Sequence, residues 1–387
     1  MPTISDSDVE EVLDAVRSGW LTSGPRSLQL EDGIANALGN SSALAVSSGT
    51  AAMHVALTAL KIRPGTAIVT TPMTFCSTAH LIEQVGCRPL FVDVEPDTLN
   101  IDPGAVEAIL SRDADDIGAI LPVHYAGHPV EMDRLLATAR AHGIPVVEDA
   151  AHAFGAKFRG TPIGRITDAE NDRATAFSLY ATKNITSGEG GILTAAASVL
   201  SDARLWSLHG MSRDSWQRYG PRGAWDYAVV LPGFKYNLSD INAALGVAQL
   251  RRWASLQERR TKIATQYTEL LATVDEVQTP VSRTHVTHAW HLYPIRLDLS
   301  KVSIDRSEFI DRLRARNIGT SVHFIPVHTH PYYRDRYGFT GAEFRATMHA
   351  FDRLISLPIY PQMNDGDVED VVAAVRATIV ETSKAVA

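Results

Sequence analysis

Ile144-Pro145-Val146-Val147-Glu148-Asp149-Ala150-Ala151-His152 decides the fold. An apolar run of strand length ends on two carboxylates, and Asp149 falls at the predicted C-terminal end of the strand. A carboxylate placed there is costly unless something pairs it. Working outward, residues 130–142 carry a helical period and stop at Gly143, and residues 117–123 and 88–94 read as strands. Residues 76–85 read as a helix that Gly86 caps, and 66–71 as a short β-branched strand. Downstream, 175–179 and 190–195 complete the set. Strands alternating with helices of about 10–15 residues predict a mostly parallel sheet covered on both faces. In such a sheet ligands sit beyond the C-terminal strand ends, so the chemistry is expected just after Val46, Thr71, Val147 and Leu179.

The chain has 387 residues, enough for roughly two to three domains. After residue 239 its character changes. Ser239 is placed to cap a long helix running to Val274, followed by a β-rich stretch at 291–297, a helix near 306–316 and a further extended segment at 321–324. We expect a large domain over 1–240 and a smaller α/β domain over 241–387, with roughly the first 20 residues packing on the latter. The formal charge of −8, with no basic tail, argues against nucleic acid and anionic membrane as partners. Cys76 and Cys87 form neither a disulfide framework nor a metal pair. With no secretion signal and no apolar stretch of membrane length, a cytoplasmic protein is expected.

Four segments carry residues suited to chemistry. Asp149 either caps the next helix or pairs with a pyridinium nitrogen and keeps it protonated. His152, three residues on, either packs as a half-buried histidine or lies against the same ring. Lys183 follows the strand that carries Ser178, and Gly188, Gly190 and Gly191 come soon after. A lysine in a desolvated pocket loses basicity and can form a Schiff base, whereas most lysines are ordinary surface residues. In Ser47-Ser48-Gly49-Thr50-Ala51-Ala52 a turn opens an apolar helix, and the first amides, those of Gly49 and Thr50, favour an anion. Ser178 is a second phosphate candidate. Phe75, just past a strand end, either stacks on a flat ring or packs in the core. His285, His288 and His291, and the group His323, His328 and His330, lack acidic or cysteine companions at ligand spacing. They are expected to face solvent or substrate, with no metal. No GxGxxG fingerprint follows a strand, which counts against a dinucleotide-binding oxidoreductase.

Taken in order, these motifs resemble the DegT/DnrJ/StrS family of sugar aminotransferases. The resemblance runs from Ser18-Gly19-Trp20-Leu21-Thr22-Ser23-Gly24-Pro25 through Ser48–Ala52, Glu148–His152 and the Lys183 segment. It continues to Lys235-Tyr236-Asn237-Leu238-Ser239-Asp240 and Val322-His323-Phe324-Ile325-Pro326. It implies an aspartate-aminotransferase-like fold of type I and pyridoxal 5'-phosphate as cofactor. By the same resemblance Lys183 is the Schiff-base lysine and proton shuttle, and Asp149 the partner of the pyridine nitrogen. His152 contacts the ring side or its 3′ oxygen, Gly49, Thr50 and Ser178 bind the phosphate, and Phe75 stacks on the ring. Asn237 is similar to the asparagine that reaches the cofactor of a neighbouring subunit, which implies a homodimer with shared sites. His323 is the candidate sugar contact. The implied reaction is ping-pong transfer from L-glutamate to a nucleotide-linked keto-deoxy sugar, at C4 of a 4-keto-6-deoxyhexose. Amination at C3, a keto-cyclitol acceptor and an idle regulatory scaffold are the alternatives.

Overall fold

The strand that opened the sequence reading is central in the computed structural model, which describes residues 2–211 and 227–384. Seven strands form one sheet: β1 (Leu44–Val46), β2 (Ala67–Thr70), β3 (Arg88–Phe91), β4 (Ile117–Ile120), β5 (Val146–Asp149), β6 (Arg173–Ser178) and β7 (Gly191–Ala195). Their order is β1-β7-β6-β5-β4-β2-β3. The run from β6 to β3 is parallel, while β7 pairs antiparallel with both β6 and β1. This is the expected α/β, mostly parallel mixed sheet between helices. Successive side chains of a strand point to opposite faces, and here they enter two cores. Val69, Ile120, Val146 and Phe177 pack on one face, and Ile68, Ala119, Val147 and Ala176 on the other. Because both faces are covered, the strands read as continuous apolar runs rather than alternating ones.

A second sheet, β8 (Val277–Gln278), β9 (Tyr293–Leu297) and β10 (Leu354–Leu357), is antiparallel. It shares a separate core with the helices Trp253–Leu271, Arg306–Ala315 and Asp365–Thr382, built around Tyr267, Tyr293, Phe309 and Val375.

Two expectations need correction. The long helix expected from 239 to 274 is two helices, Asp240–Arg251 and Trp253–Leu271. Ser239 does cap the first, accepting from Asn242 N. At the break Arg252 leaves helical geometry (φ −120°, ψ 10°) and its guanidinium pairs with Asp8. The first helix packs against Pro25–Leu38 and Asp6–Arg17, with Ala243 and Val247 in a core of the large sheet. The second helix turns to the other core. Residues 321–324 form no strand but a single bridge, Ser321 to Ser356. The His323 carbonyl accepts from the Tyr125 hydroxyl instead of a ladder partner.

Candidate active site

Since β6, β5, β4, β2 and β3 run the same way, their C-terminal ends open along one edge of the sheet. Asp149 ends β5 and is 5 % exposed. Its Oδ2 accepts from Thr78 Oγ1 at 2.8 Å and its Oδ1 from Ala151 N at 3.1 Å. Thr78 in turn lies 2.8 Å from the hydroxyl of Thr74. Glu148, one residue earlier, points to the opposite face. It takes His124 Nε2 at 2.9 Å, Arg173 Nε at 2.7 Å and the Thr175 hydroxyl at 2.9 Å. Burial disfavours its charge, but Arg173 and His124 outweigh that and hold the carboxyl down at about 2. The two adjacent carboxylates are thus separated into a structural group and one at the strand mouth.

Lys183 sits in a turn after β6, its amide bonded to the Tyr180 carbonyl at 2.9 Å. Burial pushes its amine down to about 8, against the pull of the nearby Asp149 charge. Three histidines gather there. His152 lies 4.3 Å from His291, ring to ring, and stacks on Phe324 at 5.7 Å and 19°. Burial, then the positive charge of Lys183, holds His152 neutral and His323 at about 4. His323 Nδ1 meets Ser356 Oγ at 2.9 Å, and His291 Nδ1 meets Asn184 Oδ1 at 3.0 Å. Lys183, His291 and His323 line a cleft of about 340 Å³.

At the end of β1, Ser48 caps the helix Gly49–Ala59, accepting from Ala51 N at 3.0 Å. The first intrahelical bond is from Ala52 N to the Ser48 carbonyl. The amides of Gly49 and Thr50 precede it and have no partner within the helix. Gly49 lies so close to Ser178 that a Cβ on it would sit 2.9 Å from the Ser178 Cβ. Gly49 and Ser178 are therefore brought together from opposite ends of the motif series. Phe75 is exposed and 6.1 Å from Phe324, ring to ring. Asn237 bridges to Val46, donates to Ser23 Oγ at 2.7 Å and accepts from Lys235.

Two of the other histidines differ from expectation. His288 and His328 do not face solvent. His288 is buried, stacked on Trp290 at 3.8 Å, and its Nδ1 accepts from Trp290 N. His328 is fully buried between Phe339 and Phe344. The aromatic rings of Trp290, Phe339 and Phe344 close these pockets. Among the described residues no group of three or more His, Cys, Asp or Glu is placed to hold a metal, and no helix is long and apolar enough to cross a membrane. Thr78 went unread in the sequence. Its spacing of four from Thr74, just after a strand end, was the available signal.

The residues fit pyridoxal phosphate. His152 Nδ1 is buried without a partner beside Lys183, a helix whose first amides lack intrahelical partners starts at Gly49 against Ser178, and Asp149 presents an acceptor at the same strand edge. A model of the DegT/DnrJ/EryC1/StrS aminotransferase family matches residues 2–376. The chain is 45 % identical over 378 residues to the spore coat polysaccharide biosynthesis protein SpsC of Bacillus subtilis, covering 97 % of this chain and 95 % of that one. It is 38 % identical over 381 residues to the UDP-4-amino-4-deoxy-L-arabinose–oxoglutarate aminotransferase of Shewanella sediminis, covering 97 % and 96 %. A Streptococcus pneumoniae structure in its PMP form superposes with a TM-score of 0.89 at 28 % identity, covering 98 % of each chain. It has also been solved in a PLP form.

Fold and site together define an aminotransferase dependent on pyridoxal phosphate, acting on sugars. The chain belongs to the DegT/DnrJ/EryC1/StrS aminotransferase family.

Proposed function

We propose that this enzyme moves an amino group from L-glutamate to C4 of a nucleotide-linked 4-keto-6-deoxyhexose in two half-reactions. The observation that carries the catalytic part is the buried Lys183 amine, brought down to about 8 beside Asp149. An amine of that basicity is about one-tenth neutral at pH 7, against well under one-thousandth for an ordinary lysine, so a usable fraction can act as nucleophile and as base. The bound cofactor supplies an electron sink for the carbon that loses its proton. Asp149, fixed by Thr78 and the Ala151 amide, would keep the pyridine nitrogen protonated. The Gly49 and Thr50 amides with the Ser178 hydroxyl would hold the phosphate, His152 Nδ1 would serve the 3′ oxygen, and Phe75 would offer its ring face to the cofactor. Lys183 Nζ would carry the proton that the substrate carbon gives up. His323, oriented through Ser356, contacts the sugar. Asn237 would reach the cofactor phosphate of a second copy, which would make the working unit a homodimer.

The name of the Shewanella relative supports the acceptor position and the donor. It pairs a sugar aminated at C4 with oxoglutarate, the keto acid that L-glutamate becomes. Protein loaded with the pyridoxamine form is to be mixed with nucleotide-linked 4-keto and 3-keto deoxy sugars and with a keto-inositol. Absorbance at about 410–430 nm should return with a 4-keto sugar. Return only with a 3-keto sugar or the cyclitol overturns the C4 assignment.

A further inference from the structure

Three residues that line the same cleft as Lys183 each carry a buried polar atom without a partner among the described residues. The atoms are Thr3 Oγ1, Arg260 Nε and Thr320 Oγ1, and they come from three distant parts of the chain. Arg260 is 4 % exposed. Its Nη1 donates to the carbonyls of Ile359, Trp290 and His291 at 3.1, 3.3 and 3.5 Å. Those carbonyls fix the guanidinium but carry no net charge. Among the described residues no carboxylate pairs with it, whereas Arg252, whose Nε is also unpartnered, has Asp8. Burial lowers the Arg260 pKa to about 10. The lining of the cleft contains Lys183 and Arg260 but no Asp or Glu. A buried cation without a counter-charge is strongly unfavourable, so the cleft is built to receive an anion. Thr3 is held in place on purpose-built contacts: its carbonyl accepts from Gln249 Nε2 at 3.0 Å, and Gln249 also bonds Asp8.

We propose that Arg260, with the hydroxyls of Thr3 and Thr320, binds a carboxylate of the amino donor while the donor's amine faces Lys183. The site therefore selects amino acids over simple amines. This rests on the aminotransferase reading and adds a donor subsite to it.

The test uses protein loaded with pyridoxal phosphate. Two quantities are read: the dissociation constant of glutarate, an unreactive dicarboxylate, by calorimetry, and the visible spectral change on adding butylamine, which lacks a carboxylate. Arg260→Gln should weaken glutarate about tenfold or more, and Thr320→Val about threefold, the scale of a charged and a neutral hydrogen bond. Both should respond to butylamine as the parent does, which a merely structural role for Arg260 would not predict. L-Glutamate and L-alanine then identify the carboxylate. A parallel loss with both assigns the α-carboxylate, and a loss with L-glutamate alone the side-chain one. If folded Arg260→Gln binds glutarate like the parent, the proposal is overturned. If that variant does not fold, unchanged glutarate binding in both Thr320→Val and Thr3→Val overturns it. Failure of the parent to take up the cofactor at all would overturn the aminotransferase reading with it, a distinct result.

Discussion

The Thr78 hydroxyl donates to Asp149 Oδ2 at 2.8 Å, joining the helix Cys76–Gln84 to the end of the central strand. Among the described residues Asp149 has one other donor, the Ala151 amide. Removing the Thr78 hydroxyl frees one carboxylate oxygen to turn away from the ring nitrogen. Thr78→Val is nearly isosteric and should lower kcat/KM about tenfold, the scale of one hydrogen bond to a charged group. Asp149→Asn removes the charge itself and should cost more. Steady-state kinetics on the two variants checks the order.

Alanine is ordinarily favoured over glycine in a helix by about 1 kcal/mol, yet Gly49→Ala should be harmful here. The new Cβ would meet Ser178 at 2.9 Å from its Cβ and 3.1 Å from its Cα, and the Phe177 carbonyl at 3.4 Å. Relieving that overlap spreads the phosphate cradle. Overpacking of this kind costs about 1–3 kcal/mol, so titration of apoprotein with pyridoxal phosphate should show a dissociation constant raised about tenfold or more.

The depressed basicity of Lys183 sets a pH dependence. Only the neutral amine attacks an aldehyde. The rate of cofactor uptake by apoprotein should rise with pH, reach half its maximum near the Lys183 value of about 8, and then level off. A half-maximum near 10.5, the ordinary lysine value, would show that burial leaves the amine unaltered.

Glu148 gives a stability prediction of the opposite pH sense. Its folded value of about 2 lies below the ordinary 4.5, so its contribution is complete above 4.5 and is lost as pH falls through 2. Glu148→Gln leaves Arg173 and His124 without their shared anion in a fully buried position. Breaking such a pair costs about 3–5 kcal/mol, and because Arg173 keeps Glu170 at 3.1 Å the low end of that range is expected. Urea unfolding at neutral pH should show that loss, and the gap between variant and parent should narrow on acidification below 4.5.

Much of the architecture was legible because the strands of the large sheet are short, mostly apolar runs, and β1, β2 and β5 end on or next to a polar residue. Val146–Asp149 and Arg173–Ser178 are where the pattern placed them, within a few residues. Asp149, His152 and Lys183 do converge, as do Gly49 and Ser178. The rest depended on tertiary partners that no local pattern records. The helix break at Arg252 has no proline or glycine to announce it, since Asp8, far upstream, takes its guanidinium. Arg260 stands in Glu258-Arg259-Arg260, which reads as a solvated helix face. Arg259 does pair with exposed Asp365, while its neighbour turns inward toward three carbonyls and the cleft. His288 and His328 were misplaced for the same reason: the aromatic rings that bury them lie in loops whose course is set by the fold.

The most direct measurement is borohydride reduction of the holoprotein followed by peptide mapping. The account predicts a single stable pyridoxyl label, on Lys183, and none in a Lys183→Ala variant that still folds. A label on any other lysine, or an unlabelled protein after saturation with the cofactor, would contradict it.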